Sequence, residues 1–150
     1  MDTARLSVNL KQNGDSTVLG RARAHSVVID RPHVKGGKDR GPMGGELLLL
    51  SLGGCYFSTF LAAMKAEYGD FPTEPIEIMV TGILGSVPSR ITDITLTMYA
   101  SMLSKEKLEK PAVKAERGCI VHNSIKSSIP VHFNYIWLSE ETFPSMMPST

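Results

Sequence analysis

The stretch GGELLLLSLGGCYFSTF, from Gly44 to Phe60, opens the longest apolar run in the chain. Charge appears only at its ends, with Glu46 at the start and Lys65 and Glu67 near the finish. Its residues are mostly good helix formers, so the pattern predicts a helix over Glu46 to Tyr68, stopped by Gly69 and Pro72. Such a helix is apolar around most of its circumference, and one small sheet can cover only one of its faces. The economical cover for the other face is a second copy of the chain in a two-fold dimer. The later helices of the same chain are the alternative.

The rest of the chain supplies the sheets. ARLSVNLK alternates with Leu6, Val8 and Leu10 on one side, NGD gives turn chemistry, and a second extended stretch runs through VVI, which predicts an opening antiparallel sheet. The segment from Arg31 to Gly45 is rich in Gly, Pro and basic residues and reads as an exposed loop. After the long helix, EPIEIMVTGIL and ITDITLTMYASM read as two strands joined across GSVPS. Ser104 can cap a helix through KEKLEKPAVKAER, where Pro111 kinks it or marks a fresh start and Gly118 ends it. CIVHNSIKSSI suits a short helix with Cys119, His122 and Lys126 on one stripe, and PVHFNYIWL a last strand with Val131, Phe133, Tyr135 and Trp137 on one face. This order is an α+β pattern, read as a single domain over 1–150 with a loose tail over 141–150.

A chain of 150 residues with 42% hydrophobic content can bury one ordinary core unaided. Sixteen basic side chains against fifteen acidic ones give a formal charge of +1, so no large field draws in nucleic acid or an anionic membrane. The amino terminus lacks the apolar core of a secretory signal and no run is expected to cross a bilayer, so a cytoplasmic protein is expected. In that reducing compartment two cysteines, Cys55 and Cys119, point to burial, catalysis or metal binding more than to a permanent bridge.

Cys55 falls on the apolar helix beside Gly53 and Gly54, where missing side chains leave room for a neighbouring backbone or a small ligand. On position alone it reads first as a small core hydrophobe, since free cysteine is among the most often buried residue types. Cys119 follows a helix-ending glycine and starts another helix, where unpaired N–H groups favour a thiolate; packing is its alternative. Thiol chemistry needs the thiolate, and a buried thiolate needs a cation or hydrogen-bond donors. The loop before the helix offers Arg31 and Arg40, with Lys35 and Lys38, and Glu46 can hold an arginine fork in place, although a carboxylate in a first helical turn is favoured by the dipole in any case.

GPMGGELLLLSLGGC followed by AERGCIVHNSIKSSIPV resembles the OsmC/Ohr family, the osmotically inducible and organic hydroperoxide resistance proteins. The most specific parts are GPxxxELLLxxLGGC and a second helix of the form CxxxNS, ending on Asn123 and Ser124. The resemblance implies an OsmC-like fold, with antiparallel sheets around a long central buried helix, in an intertwined homodimer. It also implies cysteine-based reduction of organic hydroperoxides, with Cys55 as the peroxide-attacking cysteine and Cys119 as the resolving one. The family's chemistry uses no metal or flavin and takes electrons from an external dithiol, in characterised relatives often a lipoyl group. Glu46 and an arginine, Arg31 or Arg40, are the matching candidates for its charged site residues.

The chain departs from the peroxide-reducing pattern in three places. Gly45 stands where that branch has its glutamate, with Glu46 one step later; the hairpin NGDST has no arginine; and Ile120 follows Cys119 where the motif commonly has proline. Other constellations compete poorly. Cys55, Cys119 and His122 lack the closely spaced cysteine pair of a zinc site, GPMG has no helix before it as an RNA-binding GxxG loop needs, and the glycines miss the nucleotide-binding spacings. Two functions from different classes follow: a dithiol peroxidase, or a non-catalytic dimer whose interface pocket binds an apolar or thioester-bearing small molecule.

Overall fold

Tyr56, Phe60 and Met64, with Leu52 before them, recur every four residues, the spacing that stacks side chains along one face of a helix. In the computed structural model, which describes residues 3–141, these four are fully buried on the helix α1, Gly44–Tyr68. The opposite side is less covered, and Leu50 is 61% exposed. Burying each large side chain of the stripe contributes roughly 1.5–3 kcal/mol. The expectation that no run could cross a bilayer needs correcting, because α1 has both the length and the composition to do so. Its buried stripe nevertheless belongs to the core of the fold.

The chain divides into two compact units, residues 1–48 and 49–150. The first holds a three-stranded antiparallel meander of β1 (Asn9–Gln12), β2 (Val18–Ala22) and β3 (His25–Ile29). The extended stretch expected after NGD is thus two strands, because Arg23 adopts a positive φ of 54° and turns the chain back. Leu6, Val8 and Leu10 are exposed. The loop after β3 contains one 3-10 turn at His33–Lys35 and is tied down by Asp30. One Asp30 oxygen accepts the Arg31 N–H at 2.7 Å; the other accepts the Arg40 N–H at 3.3 Å and the Thr17 hydroxyl at 3.1 Å. Burial alone would raise this carboxyl, but these donors and the nearby Ser16 hydroxyl outweigh it and hold its pKa at about 2.

The second unit contains a three-stranded sheet of β4 (Glu77–Gly85), β5 (Arg90–Ser101) and β6 (Val131–Leu138), in the order β4-β5-β6. β4 and β5 form an antiparallel hairpin, but β6 runs parallel to β5, a departure from all-antiparallel sheets. The cause is the crossover between them, which spends α2 (Lys105–Gly118) and α3 (Ile120–Ile125) before the chain re-enters the sheet. Ile94, Leu96, Met98 and Ala100 of β5 are buried, and Leu108, Ala112 and Ala115 of α2 join them in one core with the α1 stripe. Gly53 is required at the α1 contact with β4, because a Cβ there would lie 2.9 Å from Val80 Cγ2. Pro111 does not start a new helix, since α2 runs through it. Ser104 does not cap through its side chain; its hydroxyl donates to Glu74 at 2.6 Å. The tail expected over 141–150 falls, apart from Glu141, outside the described residues.

Because Asp30 has a depressed pKa in the folded state, its contribution to stability is complete above the ordinary carboxylate value of about 3.9. It is lost as pH falls from there through about 2. Asp30→Asn is therefore expected to unfold at lower urea concentration at neutral pH and to show less change between pH 5 and pH 2. Urea melts across that range read both effects.

Candidate active site

Cys55 occupies the position on α1 immediately before the buried Tyr56, so the packing of Tyr56 fixes the place of the thiol. Tyr56 stacks on Phe133 of β6 at 5.5 Å between ring centroids, and its hydroxyl lies 2.8 Å from that of Tyr135. Tyr135 in turn donates to the Glu116 carboxylate on α2 at 2.6 Å. This part-buried chain ties α1, β6 and α2 together.

Cys119 sits at the junction of α2 and α3, where helix ends leave backbone groups without intrahelical partners. Three carbonyls at the end of α2 have partners. The Cys119 N–H donates to Ala115 at 3.0 Å, the His122 Nδ1 bonds the Glu116 carbonyl at 3.0 Å, and the Asn123 side-chain amide donates to the Arg117 carbonyl at 2.9 Å. At the start of α3, Cys119 is the N-cap and its sulfur accepts the His122 N–H at 3.5 Å. The Val121 N–H, the Cys119 thiol and the Ile120 N–H also act on Cys55, each favouring its thiolate. The CxxxNS pattern has a local structural reason: its cysteine caps α3, and its asparagine closes α2.

The two thiols are shifted in opposite directions. Burial pushes Cys55 up, but the Val121 N–H, the Cys119 thiol, the Ile120 N–H and the Thr59 hydroxyl together bring it below the ordinary thiol value. Burial also pushes Cys119 up, and its bond to Cys55 and the charge there hold it up despite the His122 N–H. Cys119 is fully buried and Cys55 is half-buried. The helix-start argument that favoured a thiolate at Cys119 is thereby corrected: the donors belong to the helix that Cys119 caps, but they serve Cys55. Ile120, with an N–H that proline lacks, supplies one of them.

Arg31, Arg40 and Glu46 lie in the 1–48 unit and all three are exposed. The two arginines contribute backbone N–H groups to Asp30, and Glu46 accepts the Met43 N–H at 3.0 Å, half of a capping box at the start of α1. Within the 49–150 unit, the groups that lower Cys55 are neutral donors. The sequence reading placed His122 on the same stripe as Cys119 but did not foresee its two bonds across the helix junction. Nor did it single out Thr59, four residues after Cys55, where a hydroxyl one helical turn on was the available signal.

The sequence pattern of OsmC-like proteins matches residues 36–134. This chain belongs to the OsmC-like family. No match to a curated protein was found. Among solved structures, an OsmC-like protein from Mycoplasma pneumoniae superposes with a TM-score of 0.75 at 18% identity, covering 92% of this chain and 99% of its own. An organic hydroperoxide resistance protein OsmC from Legionella pneumophila gives 0.66 at 13% identity, over 90% of this chain and 98% of its own. The organic hydroperoxide resistance protein of Bacillus subtilis gives 0.59 at 16% identity, over 89% and 98%. The OsmC/Ohr fold expected from the two cysteine-bearing segments is the fold observed.

In this OsmC-like chain Cys55 is expected to react with iodoacetamide well before Cys119 at neutral pH, as read by mass spectrometry of the labelled peptides. Ile120→Pro keeps a residue suited to the first helical position but deletes one donor, and should slow labelling of Cys55 at neutral pH about threefold to tenfold.

Proposed function

We propose that this OsmC-like protein is a thiol-dependent peroxidase that reduces organic hydroperoxides through a Cys55/Cys119 dithiol-disulfide cycle. What carries this reading is the opposite shift of the two thiols, Cys55 lowered and Cys119 raised, each among the causes of the other's shift. That is the polarity an attacking and a resolving sulfur need. The solved relatives named for organic hydroperoxide resistance support it at the level of the fold.

In the first step the Cys55 thiolate attacks the outer oxygen of the hydroperoxide, forming an S–O bond as the O–O bond breaks. The alkoxide leaves and takes a proton from water, so the product is an alcohol and Cys55 is a sulfenic acid. Cys119 then attacks the Cys55 sulfur, forming the S–S bond and releasing the sulfenic oxygen as water with the thiol proton. An external dithiol reduces the disulfide by exchange and is itself oxidised to a disulfide. The sum is hydroperoxide plus dithiol giving alcohol, water and oxidised dithiol. The reaction as written needs no metal or flavin; its proposed reductant is a dithiol of lipoyl type, and its proposed compartment is the cytoplasm.

Cys55→Ser should abolish turnover of an alkyl hydroperoxide with a dithiol, whereas Cys119→Ser should consume about one equivalent and stall as the sulfenic acid. Full turnover by Cys55→Ser with loss of the first oxidation in Cys119→Ser would reverse the two roles. A parent protein that consumes no hydroperoxide with any dithiol would favour the binding of an apolar or thioester-bearing ligand. Arg31, Arg40 and Glu46 enter the proposal through the family resemblance, and replacing each singly in the same assay assigns the charged partner.

We further propose that the protein works as a homodimer. Leu6, Val8 and Leu10 in the first unit and Leu50, Ile83 and Leu84 in the second are exposed. A second copy is the cover that the symmetry of most soluble oligomers favours. Sedimentation should give twice the chain mass at micromolar concentration, and a stable monomer there would reject the assembly.

A further inference from the structure

Glu116, in the last turn of α2, is bonded through both its side chain and its backbone. Its carboxylate accepts the Tyr135 hydroxyl at 2.6 Å, and its carbonyl lies 3.0 Å from the His122 Nδ1. A carbonyl only accepts, so that nitrogen carries the ring proton. The single hydroxyl proton of Tyr135 is committed to Glu116, which makes Tyr56 the donor of the 2.8 Å bond between the two tyrosines. Tyr56 stacks on Phe133, and the Phe133 ring meets the His122 ring at 87°, with 4.9 Å between centroids. These contacts form a closed circuit that runs from Glu116 through Tyr135, Tyr56, Phe133 and His122 back to Glu116. Both cysteines are attached to it. Cys55 directly precedes Tyr56 on α1, and the His122 N–H donates to the Cys119 sulfur at 3.5 Å.

We propose that Glu116 is a positioning residue of the disulfide-forming step, closing this circuit so that Cys119 is held at a fixed approach to Cys55. The proposal rests on the reading of Cys119 as the resolving sulfur. Glu116 acts through Tyr135 and Tyr56 on the Cys55 side and through His122 on the Cys119 side. Removing the carboxylate opens the circuit at one link only. The Tyr135 proton is then free to turn to Tyr56, whose own proton has the Ala112 carbonyl at 3.4 Å to turn to, so no buried hydroxyl is stranded and the core persists. What is lost is the tie from β6 to the end of α2, the helix that Cys119 terminates. Attack of one sulfur on another needs the attacking atom in line with the bond that breaks, and a misplacement of about 1 Å is enough to slow such a step severely.

The test separates the two sulfur steps in the parent, Glu116→Ala, Glu116→Gln and Tyr135→Phe, each checked for folding by a thermal melt. One arm adds an equivalent of cumene hydroperoxide, traps the Cys55 sulfenic acid with dimedone over time and follows the Cys55–Cys119 disulfide by mass spectrometry. The other arm uses diamide: the Cys55 thiolate adds to its N=N bond, and Cys119 then displaces the hydrazine, forming the same disulfide with no peroxide. Alanine should leave the first oxidation within about twofold of the parent's rate and slow disulfide closure roughly tenfold in both arms. Tyr135→Phe opens the same link and should slow closure as much, whereas glutamine, whose amide oxygen still accepts the tyrosine proton, should restore it. Unchanged closure in alanine, even with a lowered melting temperature, a glutamine variant as slow as alanine, or equal slowing of both steps would each overturn the role of Glu116. A parent that closes the disulfide with diamide but consumes no hydroperoxide overturns the peroxidase reading, and the variants in the diamide arm still decide the role of Glu116. A parent that closes none with diamide overturns both.

Discussion

The packing of the α1 stripe onto the sheet of the second unit is the constraint on which the site depends. Leu52, Tyr56, Phe60 and Met64 project from one side of the helix, and the buried β5 residues and α2 supply the surface that receives them. Cys55, the proposed attacking cysteine, is not in that stripe. It is next to it, half-buried, so rotating α1 to improve the packing of Tyr56 would also re-aim Cys55. Stability of the core and geometry of the thiol are thus set by the same contacts.

From that anchor the electrostatics follow, and among the described residues neutral donors lower Cys55. A thiolate in a dry site needs donors, and here they come from the open end of a helix, a neighbouring thiol and a hydroxyl. Fixed backbone N–H groups do not reorganise as charge develops on sulfur. The arrangement is asymmetric because Cys119 caps α3 and receives the His122 N–H, whereas the Ile120 and Val121 groups lower Cys55. Two cysteines of equal intrinsic acidity are separated by which side of one helix turn each occupies.

Much of this was legible in the sequence. The apolar run announced α1, alternation announced β4, β5 and β6, and the paired cysteine segments pointed to the OsmC-like fold that the comparison of structures bears out. The rest was hidden because it depends on three-dimensional neighbours. Alternation cannot distinguish parallel from antiparallel pairing, so the β5–β6 relation escaped it. A helix start can be placed near Cys119 from Gly118, but which sulfur collects its N–H groups depends on how α1 and α3 cross. Ser104 looked like a cap, and only the presence of Glu74 shows where its hydroxyl goes instead.

The parallel pairing of β6 with β5 bears on the order of assembly. A hairpin such as β4–β5 can close locally, but β6 can dock beside β5 only after the whole crossover has been laid over the sheet. Cys119 travels on that crossover. Its sulfur therefore meets Cys55 through long-range contacts that form only as the chain consolidates, and a chain caught by oxidant beforehand has no structural reason to join these two atoms efficiently. A disulfide between them, if the proposed cycle forms one, would in that sense be a record of completed folding.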